Sequence, residues 1–97
     1  MYARVTAVQG DPAKAESGID AFNSEVLPAI KGIDGYKGAM LLIDRSSGKG
    51  YGISLWESED ARRRGGEAVA EARETTIQAM GGSVPLVEEL EVVSSDL

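Results

Sequence analysis

One tryptophan, three tyrosines and an arginine, all set in short apolar runs, are the side chains of this sequence best equipped for chemistry. Trp56 closes the run from Tyr51 and shares its parity with Gly52 and Ser54. There it can wall a flat aromatic substrate by stacking, or simply fill the space left by small neighbours as a core residue. Arg4 alternates with Tyr2, Thr6 and Val8. A guanidinium in that place can stabilise an enolate or phenolate, or it can pair across strands with Glu89 or Glu91. Tyr36, Tyr51 and Tyr2 carry phenols able to bond a substrate hydroxyl or carbonyl; strand tyrosines also pack by the ring and leave the hydroxyl at a rim. Thr6 and Ser54 can orient a bound anion, while Phe22, Met40 and Ile19 fall at periods that suit both a core and a pocket lining.

What is missing narrows the chemistry further. The 97 residues contain no histidine and no cysteine, which removes histidine-based triads, thiolate and imidazole zinc sites, thiol redox chemistry and disulfides. Ten basic against 16 acidic residues give a net charge of -6, the wrong sign for a nucleic-acid or anionic-membrane partner. No run approaches the ~18 apolar residues of a membrane span, and the opening MYARVTAV lacks the order of a signal peptide. A cytoplasmic protein is expected. Three patterns carry less than they suggest. Gly48-Lys49-Gly50-Tyr51-Gly52 joins two strands, without the strand-to-helix turn that aims amides at phosphate. Arg62-Arg63-Arg64 lies among Asp60, Glu59 and Glu67 on a helix, which predicts a solvated ion-pair face. Glu88, Glu89 and Glu91 alternate across a strand, so no metal site is expected.

The elements that must position these residues follow from periodicity. Tyr2 to Gln9 is β-branched and aromatic, a first strand. Asp11-Pro12 signals a helix start, and Ile19, Phe22, Val26 and Ile30 form one face of that helix, with a kink or short final turn expected at Pro28. Gly32 and Gly35 end it. Tyr36 to Asp44 is a second strand, apolar on both parities: Tyr36, Met40 and Leu42 on one side, Ala39, Leu41 and Ile43 on the other. Arg45 to Gly50 is a hairpin loop and Tyr51 to Trp56 the third strand. Ser58 caps a second helix whose inward positions are expected to be Ala61, Gly65, Ala68, Val69 and Ala72. Gly65-Gly66 either makes room for a ligand, permits close packing or weakens the helix. Leu86 to Val93 is the last strand.

The order β-α-β-β-α-β predicts one α+β domain over 1–97, a ferredoxin-like four-stranded antiparallel sheet with both helices on one face. The sheet's other face is then bare in a monomer, and the doubly apolar second strand predicts that a second copy covers it, giving a two-fold dimeric α/β barrel. Alanine supplies 12 of the apolar residues and only 5% of the chain is aromatic, a thin core that such a homodimer would relieve.

The segments EVLPAI at 25–30, GYKG at 35–38, DRSSGKG at 44–50 and SLWESEDA at 54–61, on this element order, resemble the antibiotic biosynthesis monooxygenase-like family of dimeric α/β barrels. The resemblance implies a cofactor-independent monooxygenase acting on a small aromatic phenol, quinol or anthrone-type substrate, in a pocket inside each protomer between helices and sheet. No metal or flavin is implied, because an electron-rich carbanion or phenolate itself reduces dioxygen. Trp56 and Arg4 are then the catalytic candidates, with Tyr36, Tyr51, Phe22, Met40, Thr6 and Ser54 against the substrate. A non-catalytic ligand-binding or structural homodimer of the same fold is the alternative. The family's haem degraders use an asparagine on the first strand and a histidine on the second helix. Trp56 matches their tryptophan, but no histidine exists here and the single asparagine is Asn23, on the first helix. Haem degradation is disfavoured.

Overall fold

Two central strands organise the sheet. In the computed structural model, which describes residues 1–83 and 86–97, β1 (Tyr2–Gln9) lies between β3 (Lys49–Trp56) and β4 (Leu86–Glu91), and β2 (Tyr36–Ile43) adds to the outer side of β3. The order is β2-β3-β1-β4 with every pair antiparallel, the α+β ferredoxin-like arrangement. Register sets the faces, since side chains alternate along a strand. Arg4 stands opposite Ser54 and Glu89, and Thr6 opposite Gly52 and Val87; these face the helices. Val5, Ile53 and Met40 form a row on the other side.

The first helical segment starts as its sequence predicts. Asp11 Oδ1 accepts from Ala13 N at 2.9 Å, and Pro12 opens a 3₁₀ turn that leads into α1 (Ala15–Ala21). The irregularity expected at Pro28 takes the form of a π turn over Phe22–Val26, in which Leu27 N donates to Phe22 O, before α2 (Leu27–Ile30). Proline has no N–H to return to the preceding turn, and the wider turn absorbs its ring. Phe22, Val26 and Ile30 remain on the buried face and join Trp56, Ala61 and Val69 in one core cluster.

Five sequence expectations change here. The pairing of β2 with β3 slips between Tyr36 and Gly38. This bulge turns Tyr36 from the Met40 and Leu42 side to the core side, where it joins Ala39 and Leu41 against the cluster. The second helix is two, α3 (Glu59–Ala68) and α4 (Ala70–Ala79), broken at Val69; Ser58 caps the first by accepting from Ala61 N at 3.1 Å. Ala68 is exposed, and Gly66 takes its place on the buried side. The last strand ends at Glu91, two residues before Val93, and β3 starts at Lys49 rather than Tyr51.

Gly65 and Gly66 are sites of close approach. A Cβ on Gly65 would lie 2.2 Å from Trp56 Cη2, and one on Gly66 2.0 Å from Arg4 Nη2. Of the three readings of this pair, close packing is the one realised. Gly65→Ala is therefore expected to destabilise by about 1–3 kcal/mol through overpacking, even though alanine is the better helix former by ~1 kcal/mol. Urea unfolding checks this; an unchanged or higher midpoint would mean that α3 retreats from the ring without cost.

Candidate functional site

Two spaces lie side by side on the helix-facing side of the sheet. The inner one is a cavity of about 70 Å³, with Arg4, Thr6, Gly52 and Ser54 on its sheet wall and Val69, Arg73 and Thr76 on its helix wall. Pockets for drug-sized organic ligands run to ~300–1,000 Å³, so the interior pocket implied by the family resemblance is not present at that size. The larger space, about 370 Å³, is an open cleft at the free edge of β2. It is bordered by Ile19, Phe22, Asn23 and Leu27 from the helical side, and by Ala39 to Leu41, Ile43 and Arg45 from the strand side. Phe22, Ala39 and Leu41 belong to both walls.

This geometry sorts the candidates drawn from sequence. Arg4, Thr6, Ser54, Trp56 and Phe22 come together around the inner cavity. Phe22 and Met40 border the cleft; Met40 does so from the outer side of the strand edge. Tyr36 and Tyr51 border neither space. The bulge seats Tyr36 edge-on against Trp56, with ring centroids 5.7 Å apart and planes at 71°. Strand parity puts Tyr51 on the far face, under Lys49 Nζ at 5.5 Å.

Trp56 is 1% exposed. Its Nε1 donates to Ser54 Oγ at 2.8 Å, its ring lies on Gly65, and the Tyr36 ring packs against it in a T-shaped pair. A hydroxyl, an aromatic ring and a stretch of backbone thus fix the indole as a rigid wall of the cavity.

The electrostatics centre on three guanidinium groups and one carboxylate. Arg4 Nη2 donates to Glu89 Oε1 at 3.1 Å, across the register in which the two residues are paired. Arg62 Nε stands 2.9 Å from Glu89 Oε2, an ion pair whose angle falls short of a hydrogen bond, and Arg62 Nη1 donates to Leu90 O at 3.1 Å. The Arg62 guanidinium also lies over the Tyr2 ring at 5.4 Å. Arg4 and Arg62 side chains are only 15% and 12% exposed. Arg73 brings the third positive charge to the cavity wall. Its Nη1 and Arg4 Nε are buried without an acceptor among the described residues. Burial holds the Arg4 guanidinium below the usual arginine range; Glu89 opposes that shift, and Arg73 and Arg62 add to it.

Arg62 thus departs from the solvated face expected of the arginine run. Arg63 and Arg64 do keep to that face, pairing with Asp60 and, for Arg63, with Glu67 at 3.2 Å. Sequence reasoning does not single out Arg73, although its signal is available: Val69, Arg73, Thr76 and Met80 recur at spacings of four, three and four, an inward helical stripe that contains an arginine. Asn23 and Arg45, the polar groups of the cleft, lie on elements that read as a helix face and a hairpin loop and give no such signal. Among the described residues no group of three or more acidic side chains could hold a metal ion, and no helix is long and apolar enough to cross a membrane.

The fold defines the class: the chain has the fold of the antibiotic biosynthesis monooxygenases. It superposes with a TM-score of 0.79 on a monooxygenase from the gene ActVA-Orf6 of Streptomyces coelicolor in complex with the ligand Nanaomycin D, at 22% identity over 99% of this chain and 90% of that one. SnoaB, a cofactor-independent oxygenase from Streptomyces nogalater, matches with a TM-score of 0.72 at 18% identity, covering 98% and 95% of the two chains. MhuD, with two manganese protoporphyrin IX molecules bound per active site, matches with a TM-score of 0.77 at 18% identity over 98% and 97%. In sequence the chain is 36% identical over 94 residues to the uncharacterized protein Rv2557 of Mycobacterium tuberculosis, covering 97% of this chain and 42% of that protein. The chain therefore spans about two fifths of the length of that relative. No family model matches the chain.

Proposed function

We propose that the protein is a cofactor-independent monooxygenase for a small aromatic substrate of the phenol, quinol or anthrone type. The observation that carries this reading is that Arg4 and Arg73 both line a largely apolar cavity, each with one buried guanidinium N–H that meets no acceptor among the described residues. Buried cations whose N–H groups are incompletely satisfied are costly and mark sites where charge develops. Oxygenation without a cofactor develops such charge, first on the deprotonated substrate and then on reduced oxygen, and preoriented donors in a dry site stabilise it without reorganisation. The substrate ring fits the edge cleft, against Phe22, Leu27 and Leu41, with Asn23 and Arg45 at hand for its hydroxyl groups. Trp56 holds the wall between sheet and α3. Similarity to SnoaB and to the ActVA-Orf6 monooxygenase supports the reaction class. Oxygen uptake with anthrone and quinol substrates tests it: consumption is expected to be stoichiometric with product and insensitive to chelators. No turnover of any such substrate would remove the oxygenase reading.

A second reading, a ligand-binding dimer without catalysis, is favoured by one feature. The inner cavity holds no organic molecule at its present size, and Glu89 already balances part of the arginine charge. Under that reading an aromatic ligand raises the melting temperature while oxygen uptake stays at background.

Assembly as a homodimer is part of the proposal. On the sheet face away from the helices, Met40, Leu42, Leu86 and Leu90 are 40%, 47%, 63% and 50% exposed, and they flank the Val5, Ile53 and Tyr51 positions of the central strands. This apolar sheet face, interrupted by the exposed Glu88 opposite Val5, is the surface we assign to the subunit contact. Leu42→Lys with Leu90→Lys is expected to halve the mass measured by light scattering at micromolar concentration, without loss of the helical circular-dichroism signal. A wild-type chain that is monomeric at that concentration would contradict the barrel.

A further inference from the structure

Among the described residues, Arg45 is the one charged side chain that borders the edge cleft, and no carboxylate lines it, although the chain as a whole carries a net charge of -6. The backbone beneath Arg45 is pinned. Asp44 N donates to Lys49 O at 2.8 Å and Gly48 N to Asp44 O at 2.9 Å, closing the hairpin on either side of it. The Asp44 carboxylate accepts from Ser46 N at 2.9 Å and from Ser46 Oγ at 2.7 Å, so the acid next to Arg45 in sequence is committed to the turn. Arg45 pairs instead with Glu16, on α1. Glu16 stands three residues before Ile19 of the helical wall, so this ion pair bridges the helical and strand walls at one end of the cleft. The two side chains are 64% and 71% exposed. A pair that wet contributes little to stability and exchanges readily for another partner.

We propose that the edge cleft selects aromatic acids: the ring lies in the apolar slot, Arg45 receives the carboxylate, and Glu16 is the internal competitor that the carboxylate displaces. This rests on the aromatic-ligand reading proposed above and narrows it to rings that also carry an acid group. A ring hydroxyl offers Arg45 a neutral acceptor, weaker than the carboxylate of Glu16 that it would have to replace. A ligand carboxylate matches Glu16 in charge and presents two oxygens to the planar fork of N–H donors. It also brings an apolar ring to the cleft, which Glu16 lacks. Asn23, exposed on the π turn at the same border, is left to a ring hydroxyl. Single π turns inside helices are frequent at ligand sites.

The test separates recognition of charge from burial of the ring. Isothermal titration calorimetry compares 2-naphthoate with 2-naphthol, two rings of the same size of which only the first is charged at neutral pH. Wild-type protein is expected to bind naphthoate the more tightly. Arg45→Gln is expected to weaken naphthoate by about tenfold or more and to change naphthol by less than about twofold. Glu16→Gln, which removes the competitor, is expected to tighten naphthoate by about threefold. Both changes fall on exposed side chains and keep the fold. The Asn23 side-chain amide resonance is expected to shift on adding naphthoate, which would place the ring in the cleft. Equal binding of naphthoate by wild type and Arg45→Gln, or a preference for naphthol, would overturn the acid site and leave the aromatic-ligand reading in place. Failure of both compounds to bind would overturn the acid site together with the cleft as the ring's seat. Arg45-dependent naphthoate binding by a protein that consumes no oxygen would support the acid site and remove the oxygenase function alone.

Discussion

Trp56→Ala is expected to lower the free energy of unfolding by about 3–5 kcal/mol, the range for removing a large buried aromatic side chain. Trp56 carries the core at the point where three elements converge: Tyr36 from β2, Ser54 from β3 and Gly65 from α3. Its removal leaves a hole beside a cavity that already exists, and Ser54 Oγ loses the indole donor. Because Gly65 offers no side chain to collapse into the gap, little of the cost is recovered. Against the ~5–15 kcal/mol stability typical of a domain, a loss of this size leaves a measurable unfolded population at room temperature. Urea denaturation followed by tyrosine fluorescence or circular dichroism measures it. A loss below about 1 kcal/mol would show that the cluster repacks freely. It follows that inactivity of Trp56→Ala would say little about catalysis, whereas Trp56→Phe keeps most of the packing and is the better kinetic probe.

Arg73→Met should give the opposite combination. Replacing a buried, incompletely paired cation with an apolar side chain of similar length is often neutral or stabilising by ~1–4 kcal/mol. The melting temperature is therefore expected to hold or rise. The rate of oxygen uptake is expected to fall by about 10²–10³-fold, the effect of losing one preoriented donor to a developing anion. Arg73→Lys retains charge but not the planar donor geometry and should recover only part of the rate. The split between stability and rate is what distinguishes a catalytic group from a structural one. A parallel loss of both would return Arg73 to a packing role, and an unchanged rate would remove it from the reaction. Arg4→Met is less clean, since it also breaks the contact with Glu89 and leaves that carboxylate to Arg62 alone.

The legible parts of the fold are those governed by local periodicity. The Asp11-Pro12 start, the Phe22, Val26 and Ile30 stripe, the Ser58 cap and the four strands all follow from spacing and capping chemistry that act over a few residues. The doubly apolar β2 carries apolar side chains on both faces for the same reason, with Met40 and Leu42 exposed on the outer one. Tyr36 is misplaced by parity because a one-residue bulge reverses it, and nothing in the type of Tyr36, Lys37 or Gly38 fixes where the register slips. Arg62 is misread because (i, i+4) neighbours on its own helix suggest an exposed face, while its actual partners, Glu89 and Leu90 O, come from a strand 27 or 28 residues away.

By itself the sequence determined the four strands and two helical regions, their order, and which chemistries are closed to a chain without histidine or cysteine. Those properties depend on residue type and on interactions short in sequence. The tertiary structure decided that Arg4 and Arg62 share one carboxylate with Arg73 close by, that Trp56 is locked against Gly65, and that a cavity of about 70 Å³ lies beside a cleft of about 370 Å³. Charge pairing and cavity volume depend on sub-ångström positions of residues brought together from strands and helices up to 85 positions apart. Such distances are set by packing, and no local pattern in the chain encodes them.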